Sequence, residues 1–153
     1  MYKRQGKQSN HDLIFFLEDD YLHKETLIEE MVMTYERISS QLNKELILVP
    51  SDYPYLYMKE RKTNIFAGSH RHWQSLDKIL CSFMTSNVIL NDYWDNFKLT
   101  CQDHNDPIEK YLNEICKKEI CISPIPSLSI HMANANSIFG VSPFIDVKGE
   151  WKK

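Results

Sequence analysis

Along the chain the apolar positions gather first at Leu13-Ile14-Phe15-Phe16-Leu17. A strand with one wet face would alternate polar and apolar residues, so this unbroken run predicts a strand covered on both faces. Downstream, Leu27, Met31, Tyr35 and Ile38 recur at helical spacing, and Thr26 with Glu29 matches a capping box, predicting a helix over about 25–40. Glu45 to Val49 forms a second short apolar strand, stopped by Pro50 and the turn-prone run Ser51-Asp52-Tyr53-Pro54. Strand, helix and strand in this order predict a βαβ unit with parallel pairing.

Asn64 to Gly68 and Ile79 to Thr85 have strand character, with Ser69-His70-Arg71-His72-Trp73-Gln74-Ser75 as a loop between them. Beyond Ser86, the apolar residues Val88, Ile89, Leu90, Tyr93, Trp94 and Phe97 predict a short helix and turn. Asp106 at an N-cap, Pro107 at the first helical position and Glu109 three residues after the cap predict a helix over about 107–118, with Ile108, Leu112 and Ile115 on one side. Ile120 to Ser123 is a short strand. Pro124 and Pro126 then hold the chain extended as far as Ser127, and an alternating segment ends at His131. Residues 1–11 are polar and are expected to be loosely ordered.

At 153 residues the length predicts one domain, spanning 1–153, with a substantial core. A hydrophobic fraction of 42% and an aromatic fraction of 12% fit a folded chain, not a disordered one. With a net charge of -3 and a pI near 6.1, there is no electrostatic case for nonspecific binding to nucleic acid or to an anionic membrane. No apolar run approaches the roughly eighteen residues of a membrane span, and the basic N-terminus leads into polar residues without a signal-peptide core. A soluble, cytoplasmic protein is expected. Cys81, Cys101, Cys116 and Cys121 contain no CxxC pair and fit reduced core residues.

Candidate chemistry starts where the first strand ends, at Glu18-Asp19-Asp20. Three adjacent carboxylates at the edge of a core repel one another unless water, a donor or a cation relieves them, and a divalent metal is the natural partner. Open α/β sheets bind ligands beyond the carboxyl ends of their strands, where these acids would lie. The plainer alternative is that Asp19 and Asp20 are solvated turn residues that cap the next helix. In the 69–75 loop, Trp73 offers an apolar ring face and Arg71 a planar donor fork, suited to a sugar-like or anionic ligand; alternatively Trp73 is pinned in the core. Capping accounts for Asp106 and leaves Asp103 and His104 unexplained, while His131 could be either a hydrogen-bonded structural residue or a ligand.

The apolar strand ending Leu17-Glu18-Asp19-Asp20-Tyr21, the acid-led helix at Asp103 to Glu109, and the histidine after Pro126-Ser127-Leu128-Ser129-Ile130 together resemble the GT-A fold of nucleotide-sugar-dependent glycosyltransferases. The resemblance covers about residues 12–146. It implies an α/β fold, an incomplete GT-A (Rossmann-like) mixed sheet flanked by helices. Glu18-Asp19-Asp20 is similar to the family's DxD-type element, which implies that Asp20 and the late histidine, His131, hold Mn²⁺ or Mg²⁺. Glu18 or Asp19 would then meet the sugar or ribose of the donor. Asp106, or failing that Asp103, would be the base of an inverting hexosyltransferase-like reaction, with Trp73 and Tyr53 stacking on the acceptor.

Partners implied by the resemblance are a nucleotide-sugar donor and a glycan or other hydroxyl acceptor, with no nucleic acid and no integral membrane segment. Family members usually carry further strands and a base-gripping loop before the acidic motif. Here the motif begins at Glu18, so the chain is expected to represent the C-terminal part of such a domain. Its nucleotide half would be missing, replaced, or supplied by another polypeptide. A sheet edge left open in this way favours self-association or a complementing chain. The competing classes are a catalytically incomplete fragment acting as a binding or structural module, and a metal-dependent phosphoesterase.

Overall fold

The computed structural model describes residues 6–7, 11–80, 82–100, 109–133, 135–142, 145–147 and 149. The chain is α/β, with a mixed six-stranded sheet flanked by helices. Its strands are β1 (Leu13–Phe16), β3 (Leu46–Leu48), β4 (Ile65–Ala67), β5 (His72–Ser75), β6 (Phe83–Ser86) and β7 (Ile120–Ile125), in the order β1-β6-β3-β7-β5-β4. A separate two-stranded ribbon joins β2 (Tyr21–His23) to β8 (Ser129–His131). The helices are α1 (Leu27–Leu42), α2 (Asn87–Asp92), α3 (Trp94–Leu99) and α4 (Glu109–Cys116).

Alternation along the strands builds a core on each face of the sheet. Leu46, Leu48, Met84 and Ile122 pack with Leu27, Met31, Tyr35 and Ile38, so the predicted apolar stripe of α1 covers one face. Ile47, Phe83 and Cys121 point the other way, toward Ile89, Phe97, Leu112 and Ile115 of α2, α3 and α4. Each such aliphatic or aromatic side chain removed from water contributes about 1.5–3 kcal/mol. β1 packs against both clusters, through Ile14 and Phe16 on one side and Leu13 and Phe15 on the other. This is the two-faced burial expected of it, but three of its four residues stay half-exposed because β1 is at the sheet edge.

The expected parallel pairing of β1 with β3 is not formed. β6 lies between them, antiparallel to both, so that Thr85 faces Ile14 on one side and Ile47 on the other. Every residue of β6 is buried, and a strand of that kind belongs inside a sheet. β3 makes its parallel contact with β7 instead.

Other departures are local. The Thr26 side chain makes no capping hydrogen bond, so the capping box does not form, while Asn43 closes the other end of α1 in the left-handed conformation (φ 51°). The predicted 69–75 loop contains β5, and the strand expected from Ile79 begins only at Phe83. Pro124 lies within β7, beyond the last residue of β3 that pairs with it, where a missing N–H leaves no gap in the ladder. A Cβ at Gly68 would come within 2.4 Å of the Trp73 ring, so only glycine lets the backbone cross there. Among the described residues no helix is long and apolar enough to cross a membrane.

Candidate functional site

After β1 the chain turns at Asp19 and Asp20 into β2, with the Glu18 N–H donating to the buried Ser82 hydroxyl at 3.0 Å. β2 and β8 are antiparallel, with Tyr21 opposite His131 and His23 opposite Ser129. The Met132 N–H donates to the Asp20 carbonyl and the Lys24 N–H to the Leu128 carbonyl, both at 2.9 Å. Alternation places the Tyr21/His131 and His23/Ser129 pairs at the non-hydrogen-bonded positions, where opposed side chains are closest. This register carries the imidazole of His131 to the last acid of the triplet: Nε2 lies 2.9 Å from Asp20 Oδ2, across 111 residues of sequence.

The turn after β3 fixes where β8 begins. The Ser51 hydroxyl donates to the Ser129 carbonyl at 3.1 Å, the Leu128 N–H to the Pro50 carbonyl at 2.8 Å, and the Asp52 N–H to the Ser127 hydroxyl at 2.8 Å. A segment rich in serine and proline is thereby tied to the turn after β3, in part through side-chain bonds that a periodicity argument does not see.

Asp20 Oδ1 and His131 Nδ1 are enclosed and have no hydrogen-bond partner among the described residues. Buried polar atoms are normally paired, so each of these orphaned atoms is one that a further polar group would satisfy. Nε2 and Oδ2, 2.9 Å apart, make a hydrogen bond that a cation held by both side chains would replace. Among the described residues no set of three His, Cys, Asp or Glu side chains converges to hold a metal. A carboxylate and an imidazole alone fit a cation that keeps waters and substrate phosphates as its remaining ligands.

Asp20 and His131 open onto a cleft of about 870 Å³, whose wall also includes Glu18, Ile79, Phe139, and Glu109 and Asn113 of α4. Comparison with models of known protein families, with curated proteins and with solved structures gave no match. The chemistry of the cleft is therefore argued from its own residues. Glu18 and Asp20 line it, whereas Asp19 is exposed in the turn and does not. Asp103 and Asp106, the candidate bases, lie outside the described residues; α4 follows them and presents its first turn to the cleft.

Two expected contacts are corrected. Trp73 is fully buried against α1 and donates through Nε1 to Glu30 at 3.3 Å, and Tyr53 is 1% exposed, so neither offers a ring face to an acceptor. The loop before β5 is engaged internally as well. Glu30 accepts from the His70 N–H at 3.0 Å, and Arg71 Nη1 donates to the Pro126 carbonyl at 2.8 Å.

Asp52, which read from sequence as one member of a turn, is a buried carboxylate. It accepts from the Tyr57 hydroxyl at 2.7 Å, Gln74 Nε2 at 2.9 Å and the Ser142 hydroxyl at 3.2 Å. Burial pushes its pKa up to about 6, against the opposing effect of these donors. No signal in the sequence separates this aspartate from a solvated turn residue, because two of its three donors, Gln74 and Ser142, come from distant segments.

Proposed function

We propose that the chain is the metal- and acceptor-side part of a GT-A-type glycosyltransferase, moving a sugar from a nucleotide-sugar donor to an acceptor hydroxyl. The observation that carries this is the meeting of Asp20 and His131, which the motif resemblance requires and chain proximity does not supply. Asp20 Oδ2 and His131 Nε2 hold Mn²⁺ or Mg²⁺, with Asp20 Oδ1 available as a further acceptor. A divalent cation there supplies Lewis-acid stabilisation of the charge that develops on a nucleoside diphosphate leaving group. Glu18, on the same wall, meets the sugar or ribose of the donor. Asp106, or Asp103, takes the proton of the acceptor hydroxyl, a role worth on the order of 10² to 10⁴ in rate. The outer edge of β1 is where further strands of the sheet would add.

Calorimetric titration of nucleotide sugars with and without Mn²⁺ tests the assignment. Wild type binds only with Mn²⁺, and Asp20→Ala and His131→Ala each weaken Mn²⁺ binding by at least about 100-fold while the far-ultraviolet circular dichroism is unchanged. Equal Mn²⁺ affinity in either variant removes that residue from the metal site. Hydrolysis of the donor to nucleoside monophosphate and sugar phosphate, without an acceptor, would instead make the protein a phosphoesterase.

A further inference from the structure

A histidine that ligates a metal is ordinarily aimed by a hydrogen bond from its other ring nitrogen, which fixes both tautomer and rotation. Among the described residues nothing gives His131 that bond: Nδ1 is enclosed and has no partner there. Rotation about the last side-chain torsion is broad for an imidazole, so apart from the single contact of Nε2 with Asp20 the ring plane needs another restraint. Tyr21 lies directly against it. The two rings are nearly parallel, 9° apart, with centroids 4.7 Å from one another. Tyr21 also stacks on His23, at 6.1 Å and 7°, and His23 Nδ1 is tied to the Ser129 hydroxyl at 2.7 Å. At its far end the Tyr21 hydroxyl shares a 3.2 Å hydrogen bond with that of Tyr53, whose own ring is buried with Phe139 set edge-on against it, centroids 5.9 Å apart. Tyr21 is thus immobilised through its face and its hydroxyl, and its plane is imposed on His131.

We infer that Tyr21 is a positioning residue: its ring, and not a second-nitrogen hydrogen bond, fixes the plane of the His131 imidazole, within which the contact with Asp20 selects Nε2. This rests on the metal assignment proposed above. A flat partner restricts ring rotation, whereas an aliphatic side chain of similar bulk fills the space without selecting a plane. The Tyr21 and Tyr53 hydroxyls can be removed together, since taking both partners of a buried hydrogen bond is far milder than leaving one unpaired.

The test is Mn²⁺ titration of the full chain, followed by the electron paramagnetic resonance signal of free Mn²⁺. The wild type is compared with Tyr21→Leu, Tyr21→Met and the double variant Tyr21→Phe/Tyr53→Phe. Loss of the ring weakens Mn²⁺ binding by about 10- to 100-fold, the range seen when the partner that orients a ligand is removed, while the double variant stays within about threefold of wild type. Methionine has no ring plane but retains bulk, so Tyr21→Met answers the question if Tyr21→Leu does not fold. Wild-type affinity in either single variant overturns the inference and leaves the metal site standing, as does an equal loss in the double variant. Absence of Mn²⁺ binding by the wild type overturns both.

Discussion

Glu30 shows how much one side chain can organise. It lies on α1 at 2% exposure and accepts from the Thr34 hydroxyl at 3.2 Å, from Trp73 Nε1 at 3.3 Å and from the backbone and ring of His70, each at 3.0 Å. An isolated buried carboxylate would be costly; here its acceptor positions are filled by four donors from α1, the following loop and β5. Glu30→Ala leaves the indole and the His70 amide without a partner and should lower stability by about 3 kcal/mol, measured by urea unfolding. Glu30→Gln keeps one carbonyl acceptor and should lose less. In the sequence Glu30 stands between Glu29 and Met31 like any polar helix position, and nothing local distinguishes it. Trp73 illustrates the same limit. Both of its readings were open from residue type, and its burial was decided by Gly68 and Glu30 closing over it.

The elements differ in how much holds them. β3, β6 and β7 each have neighbours on both sides and are buried throughout or nearly so, whereas β2 and β8 form a ribbon of two strands. Two-stranded ribbons are weak by themselves, and local opening follows the density of surrounding contacts. Amides of Leu22, Lys24 and Ile130 should therefore exchange with solvent faster than those of Ile47, Thr85 and Ile122 in hydrogen-exchange NMR. Because the ribbon carries His131, Mn²⁺ at 100 times its dissociation constant should slow exchange there by up to about 2.7 kcal/mol of opening free energy. Equal protection of ribbon and central sheet, with no response to Mn²⁺, would separate the ribbon from the site. The elements legible in advance were those with a strong period or an unbroken apolar run: β1, α1, β3, β4 and α4. β5 was not, because His72-Trp73-Gln74-Ser75 lacks an apolar alternation and takes its strand form from pairing between β4 and β7.

At the scale of the molecule, Asp52 ties together the turn after β3, β5 through Gln74, and the closing segment through Ser142. Its pKa is about 6 when folded, against an ordinary value of 3.8, so the folded chain holds this proton more tightly than the unfolded chain does. The resulting contribution to stability is complete below about pH 4 and is lost as the pH rises through about 6. Asp52→Asn cannot ionise, so the stability of the variant relative to wild type should climb between about pH 4 and 7, by up to about 3 kcal/mol, and level off above. Thermal unfolding across this range checks the sign; a difference that falls or stays flat would refute it. The chain by itself determined most of the stretches that become strands and helices, which helical stripe is buried and which acids end the first strand, because these depend on local periodicity and residue chemistry. Only the tertiary structure decided the strand order, the burial of Tyr53, Trp73, Glu30 and Asp52, and the register that sets His131 beside Asp20, because each depends on which distant backbone occupies the neighbouring hydrogen-bonding edge.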